Sequence, residues 1–452
     1  MYILFFLHLF IVSNSHPQVN SSADLPPPLA QRSVRVSRTL TTARLLRYNI
    51  LMNRELTIIG AGPAGMTAAL FAARSGARVT LIDGNPVVGR KLLVSGAGRA
   101  NLTNRGLAAA RYACSDPAWL ADVLSHFGYD EAIHFFESIG VLTYCTPDGW
   151  CYPLSESAQT VVNAFNAALE SAGVRLLLDH KVTSIRKFQQ GFEIGFKTQR
   201  PLTSPALLVA AGGAAYPTLG SRGQLFPLLE ELGHHIIPPR PALAPLTCDM
   251  TPWRALQGVR LDTAVRLFAG SQLLAETTGN LIFTAWGLNG PAVMDLSHHV
   301  SARPGADLRL ELNPLFASEG ALRALLRDQR HSGTPLRVLL GAALPPKLPP
   351  LVLERLGFAA DTRMRDVSDQ ALTRLFALLT ALPFTVSGVR GFEYCQVSAG
   401  GVPVKEVDPL TMRSRLLPGL QLAGEILDVT GPCGGYNLHF AFASGAIAGM
   451  NA

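Results

Sequence analysis

The residues of this chain best suited to hold a phosphorylated cofactor are a glycine-rich turn and one acid. Gly60-Ala61-Gly62-Pro63-Ala64-Gly65 has the spacing G-x-G-x-x-G, and Asp83 follows Gly65 by eighteen residues. At that spacing Gly60 permits a tight turn, Gly62 lets the backbone approach a pyrophosphate beside Ala64, and Gly65 lets a helix pack closely on the preceding strand. The Asp83 carboxylate is placed to accept hydrogen bonds from both ribose hydroxyls and to repel a 2′-phosphate. A bare glycine pattern arises by chance, so its weight depends on its flanks.

Those flanks fit. Leu56-Thr57-Ile58-Ile59 reads as a strand, Met66 to Ser75 as an Ala-rich helix ended by Gly76, and Arg78 to Ile82 as a second strand ending at Asp83. Strand, turn, helix and strand together form a dinucleotide-binding unit, with the helix N-terminus facing the phosphates. A second stretch, Leu92 to Asn104 (LLVSGAGRANLTN), follows Gly89-Arg90-Lys91. It reads as neither packed strand nor packed helix. Its Ser95, Gly96, Gly98, Arg99, Asn101 and Thr103 offer backbone N–H groups and short polar side chains to a pyrophosphate, a ribityl chain or a flavin edge. Ala206 to Ala211 reads as a buried strand running into Gly212-Gly213, a ligand-side turn in an open α/β sheet.

Composition narrows the class. At 452 residues two or three domains are expected. The net charge of +7 is concentrated: residues 1–51 carry five arginines against one acid, and the remainder has a surplus of three. The body is therefore an ordinary solvated surface, and neither nucleic acid nor a membrane is expected as a partner. Six scattered cysteines, without close pairs, read as reduced thiols; Cys145 and Cys151, with five residues between them, read as unrelated. No metal site is expected. Residues 2–12 are apolar and half-resemble a secretion signal, but no basic residue precedes them. The expectation is a cytoplasmic enzyme starting at Met52, with residues 1–51 a mis-set start or disordered extension; export directed by residues 1–16 is the other reading.

A third stretch carries Pro418 to Glu425, then Gly431-Pro432-Cys433-Gly434-Gly435-Tyr436-Asn437-Leu438, then a small-residue helix from Ala441 to Gly449. With "GRKLLVSGAGRANLTN", "AAGGAAYPTLGSRG", "PRPALAPL", "GLNGPAVMDLS", "SAGGVPVKEVDPLTM" and "AGEILDVTGPCGGYNLHFAFASGAIAG" occurring in order, the chain from Glu55 onward resembles the aminoacetone oxidase-like, or BaiN/YhiN-type, FAD-dependent oxidoreductases. The resemblance implies an α/β fold: a Rossmann-type FAD-binding domain split into N- and C-terminal segments (52–214 and 385–452), with an inserted β-rich and helical substrate domain at 215–384. It implies FAD held by the residues already named, by Ala211 and Gly212, and by Gly424, Glu425, Gly434, Gly435, Tyr436 and Asn437. One departure is Ala100, where the family usually carries cysteine.

In the insertion, Ala264 to Phe268 and Leu308 to Leu312 read as strands, and Ala321–Arg330, Leu336–Leu344 and Gln370–Leu379 as helices. Val174 to Leu178 and Phe192 to Phe196 read as a meander attached to the nucleotide sheet. The expected chemistry is hydride transfer between flavin and a small organic substrate, with NAD(P)H as a transient donor for C=C reduction. Amine or amino-ketone oxidation by oxygen is one alternative; a flavin-containing binding protein without turnover is the other. Arg99, Tyr436 and His439 are the catalytic candidates, and His234, His235, His298 and His299 are expected at the surface.

Overall fold

The computed structural model describes residues 54–452. The expectations for residues 1–51 and for a start at Met52 lie outside the described residues. The fold is built around a five-stranded parallel sheet in the spatial order Leu420–Leu422, Ala206–Val209, Glu55–Ile59, Arg78–Ile82 and Arg175–Leu177. Glu55–Ile59 sits in the middle with Leu56 to Ile59 buried, the near-continuous apolar run of a strand covered on both faces. The helix Pro63–Arg74 begins with Pro63, whose fixed φ and missing N–H suit a first turn.

The C-terminal helix Tyr436–Met450 packs against that first helix because small residues let their backbones meet. A Cβ on Gly445 would lie 2.3 Å from the Ala64 carbonyl oxygen, and one on Gly449 would lie 2.4 Å from that of Ala68. The two ends of the described chain thus form one layer over the sheet.

The central part makes a closed barrel of six strands: Leu246–Cys248, Gly287–Asn289, Gln272–Phe283, Arg260–Ala269, Leu308–Asn313 and Leu382–Val389. Helices Glu319–Asp328, Leu336–Leu340, Leu348–Arg355 and Asp369–Leu379 lie between the last two strands. Barrel and helices share a core of their own, in which Trp253 stacks on Phe384 with ring centroids 5.0 Å apart. The closing strand crosses the boundary expected at 384. The helix Phe226–Glu231, expected in the insertion, instead buries Phe226 and Leu229 in the nucleotide-domain core. The chain enters and leaves the central part through the antiparallel pair Ile237–Ala242 and Val397–Gly401, where Ala242 faces Val397.

Several expectations need correction. Arg175–Leu177 belongs to the parallel sheet, paired with Thr80 to Ile82, and only Gly191–Phe196 joins an antiparallel sheet, with Val182–Phe188 and Leu202–Ser204. Three residues are too few for alternation to separate the two cases. The segment after Gly89 opens as a short helix, Arg90–Val94, before the irregular loop. Cys145 and Cys151 are joined by a disulfide: they face each other across the hairpin of Thr143–Cys145 and Trp150–Pro153, with Cα atoms 4.1 Å apart, so pairing register makes neighbours of residues that linear spacing kept separate. His234 is buried, held between Glu406 Oε2 at 2.8 Å and Ser414 Oγ at 3.0 Å; only His235 of the four is largely exposed, and His298 and His299 are half-buried. No helix among the described residues is long and apolar enough to cross a membrane.

Candidate active site

Four parallel strands end on one side of the sheet in turns that line a single cavity of about 920 Å³. They are Gly60 to Gly62, Asp83 to Asn85, Ala210 to Gly212, and Gly424 with Glu425. This is where open α/β sheets bind ligands, because loops diverge there and helix N-termini converge. The turn geometry requires glycine at defined points. Gly60 has φ +107°, and a Cβ there would lie 2.4 Å from the Ala210 carbonyl oxygen; a Cβ on Gly65 would lie 1.8 Å from that of Gly60. Apart from its chain neighbours, no atom of the described residues lies within 4 Å of such a Cβ on Gly62, so its backbone is open to an incoming phosphate.

Asp83 braces this turn. Its Oδ2 accepts from Ala61 N at 2.7 Å, and its Oδ1 accepts from Asn85 N and Nδ2, both at 2.8 Å. Asn85 Oδ1 accepts in turn from Arg90 Nη1 at 2.6 Å. Lys91 Nζ and Glu425 Oε2 pair at 2.5 Å, while Glu425 Oε1 accepts from Ser398 N at 2.9 Å and Oγ at 3.1 Å. These links fix the acid after the last strand against the second glycine stretch.

The loop after Val94 turns through left-handed residues Gly96 and Ala97, and Ala100 is also left-handed at φ 61° and fully buried. Ser95, Gly96, Arg99 and Asn101 line the cavity. The Arg99 guanidinium lies 4.5 Å from the centre of the Tyr152 ring. Asn101 is 6% exposed and its Oδ1 has no partner among the described residues. A buried carboxamide oxygen left unpaired is costly, so its position on the cavity wall marks a ligand contact. Gly434, Gly435 and Asn437 line the opposite stretch. A Cβ on Gly435 would lie 2.4 Å from the Thr103 carbonyl oxygen, and Asn437 ties the loop by accepting from Gly431 N and donating to Gly431 O, both at 2.8 Å.

Five expected site residues do not line the cavity: Gly65, Gly98, Thr103, Tyr436 and His439. Gly65 serves helix packing, and Gly98 turns the exposed loop. Tyr436 is buried with its hydroxyl donating to Gly106 O at 3.1 Å. His439 is fully buried. Its Nε2 must carry the proton, since it faces the Phe127 carbonyl oxygen at 3.0 Å, leaving Nδ1 to accept from Thr103 Oγ1 at 2.9 Å. Burial holds it down at about 4, neutral and locked, with no route to a substrate.

Residues that sequence spacing did not single out complete the walls. Trp150 and Tyr152 come from the disulfide hairpin; Leu243, Met294, Pro291, Arg260, Gln396 and Val397 come from the barrel side. Their signal lay in three-dimensional pairing, which no local pattern displays.

The volume, the glycine cradle, the paired acid and the unpaired carboxamide fit FAD, which supplies hydride chemistry when bound. The fold and the site define a Rossmann-type FAD-dependent oxidoreductase. The chain belongs to the HI0933-like protein Rossmann domain family, whose model matches residues 54–451. It is 34% identical over 408 residues to a 3-dehydro-bile acid delta(4,6)-reductase of Clostridium scindens, an alignment covering 89% of this chain and 99% of the relative. It is 30% identical to the ribosomal RNA dihydrouridine synthase of Haemophilus influenzae and 31% identical to that of Escherichia coli, each alignment covering 86% of this chain and 96% of the relative.

Proposed function

We propose that the protein reduces a carbon–carbon double bond conjugated to a carbonyl in a small organic molecule, with NAD(P)H as the electron donor. The observation that carries this reading is the cavity's second wall. Beyond the cofactor turns it is finished by Leu243, Pro291, Met294 and Val397, an apolar face suited to a carbon skeleton. The relatives support it, since a delta(4,6)-reductase of a 3-dehydro-bile acid and a dihydrouridine synthase both saturate a double bond next to a carbonyl. The chain's own residues have three tasks: Gly60, Gly62 and Asp83 hold the dinucleotide, Lys91 and Glu425 fix its middle, and the barrel side covers the reacting face against water.

A second reading, reduction of uridine in RNA, draws on the cavity's charge. Arg90, Arg99, Lys181, Arg222 and Arg260 line it together with the paired Lys91, against Asp83 and Glu425. Cations around a cleft suit a phosphate backbone. The test reduces the bound flavin anaerobically with NADPH and then offers cyclohexenone, a steroidal enone or unmodified ribosomal RNA. Flavin reoxidation and a gain of two hydrogens by mass spectrometry are expected with the enones. Reoxidation by RNA alone would replace the first reading with the second. A flavin that NAD(P)H does not reduce, with peroxide formed from amines, would overturn both.

A further inference from the structure

Adding hydrogen across a C=C bond needs a proton as well as a hydride, and none of the cofactor-holding residues supplies one. Among the proton-bearing groups on the cavity wall, which include Tyr152, His180 and Tyr216, one is a thiol with a carboxylate beside its backbone. Cys433 lines the cavity between Gly431 and Gly434, half-buried and packed against Leu243, Met294 and Val397. Its backbone N–H donates to Asp295 Oδ1 at 2.7 Å, which brings that carboxylate up to the residue that carries the thiol. Asp295 ends the short helix Pro291–Met294, whose Pro291 and Met294 also face the cavity. The barrel side therefore delivers a carboxylate to Cys433, which itself lines the ligand space.

A second, independent feature marks the same end as a ligand site. Asn101 Oδ1 is buried without a partner among the described residues, and it stands 2.8 Å from where a Cβ on Gly435 would be, two residues along from Cys433. An apolar wall, an unpaired carboxamide and a thiol backed by a carboxylate meet in one cavity.

We propose that Cys433 is the proton donor of the reaction and that Asp295 relays protons to it. This rests on the functional reading above. Bound, reduced FAD would supply the hydride to the β carbon of the enone, leaving the π electrons on the carbonyl oxygen as an enolate. The α carbon then takes the Cys433 proton, so that one S–H bond breaks and one C–H bond forms. The C=C bond is reduced and the cofactor oxidised; NAD(P)H, the named reductant, restores it. The thiolate recovers its proton through the Asp295 carboxyl from solvent.

The protonation states suit this direction. Burial, the charge of Asp295 and its hydrogen bond push the Cys433 thiol well above its usual value, so it rests as S–H. Burial also raises Asp295 to about 6, against the lowering effects of its Cys433 bonds and of Arg111. The other charged groups nearby are His298, which burial and the neighbouring His299 lower to about 4 against the raising effect of a bond to the Asp295 backbone, and Arg240 and Arg303, which also act on His298.

The test uses the FAD-loaded protein and its Cys433→Ala, Cys433→Ser and Asp295→Asn variants, all first shown by visible spectrum and thermal melt to keep flavin and fold. Reduced enzyme is mixed with cyclohexenone in deuterated water and flavin reoxidation followed. Cys433→Ala is expected to slow reoxidation on the order of a hundredfold, with flavin reduction by NADPH unchanged and Cys433→Ser in between. A readout independent of turnover is the pH profile of Cys433 alkylation by iodoacetamide, read by mass spectrometry. In Asp295→Asn it is expected to move to lower pH, because no carboxylate opposes the thiolate. If the parent turns over and Cys433→Ala does so equally fast, the donor role falls and the functional reading stands. If no enone reoxidises the parent, the functional reading falls and takes the donor role with it. An alkylation profile unmoved by Asp295→Asn removes the relay.

Discussion

At the scale of single residues, the glycines of the first turn divide into those that the fold needs and those that the ligand needs. The Gly65 Cβ position lies 1.8 Å from the Gly60 carbonyl oxygen, so Gly65→Ala must push helix and strand apart. The expected result is a melting temperature several degrees lower, with flavin lost on purification. Gly62 has φ −85°, which alanine tolerates, and empty space before it. Gly62→Ala should therefore melt with the parent but bind FAD on the order of tenfold more weakly, about 1.4 kcal/mol, as read by flavin titration. His439 gives a pH dependence. Its folded value is lowered from 6.5 to about 4, so its neutral form stabilises the fold above pH 6.5 and that contribution is lost as pH falls through 4. The loss amounts to roughly 3 kcal/mol. His439→Gln should flatten the stability profile between those limits, with the remaining slope carried in part by His298, which is lowered to about 4 in the same window.

At the scale of elements, legibility followed locality. The strand, turn, helix and strand from Glu55 to Asp83 could be read because every requirement falls within one short stretch: apolar runs, glycines, and an acid at a strand end. The hairpin Thr143–Pro153 could not, because its strands are short and its significance comes from what it faces. Tyr144 stands opposite Tyr152 and Cys145 opposite Cys151, while Trp150 and Tyr152 turn to the cavity. The catalytic candidates fared according to the same rule. Arg99 lies on the wall, whereas Tyr436 and His439 sit on the inward side of a helix whose faces are almost all apolar, where periodicity gives no warning. The disulfide is a local clamp closing a loop of six residues' separation. Chain entropy assigns such a loop roughly 2 kcal/mol. Reduction, or Cys145→Ser, is expected to lower the melting temperature by a few degrees and to weaken flavin retention, because the hairpin carries two cavity residues. A melt with and without dithiothreitol, monitored at flavin wavelengths, reads both.

At the scale of the whole molecule, two cores meet at one cavity. The nucleotide-domain core is assembled from both ends of the described chain, and the barrel core from the middle. The division was foreseeable from the placement of glycine motifs, which crowd the two ends, but its seam was not: residues 225 to 229 look like the start of an insertion yet pack in the nucleotide core. The seam is the ladder in which Ala242 faces Val397. Two strands that already run antiparallel need only a tight turn to join them. Replacing residues 243–396 by Asn-Gly is therefore expected to leave a chain that folds around the parallel sheet and retains FAD, at reduced affinity because Leu243, Arg260, Pro291, Met294 and Gln396 are gone from the cavity. It should lose all enone reduction, since the same excision removes Asp295 and the apolar wall. Flavin absorbance after gel filtration, with cyclohexenone-dependent reoxidation after photoreduction, measures both consequences. Loss of flavin together with the barrel would show that the nucleotide domain depends on the insertion for folding, and that the cavity's two walls are a single cooperative unit.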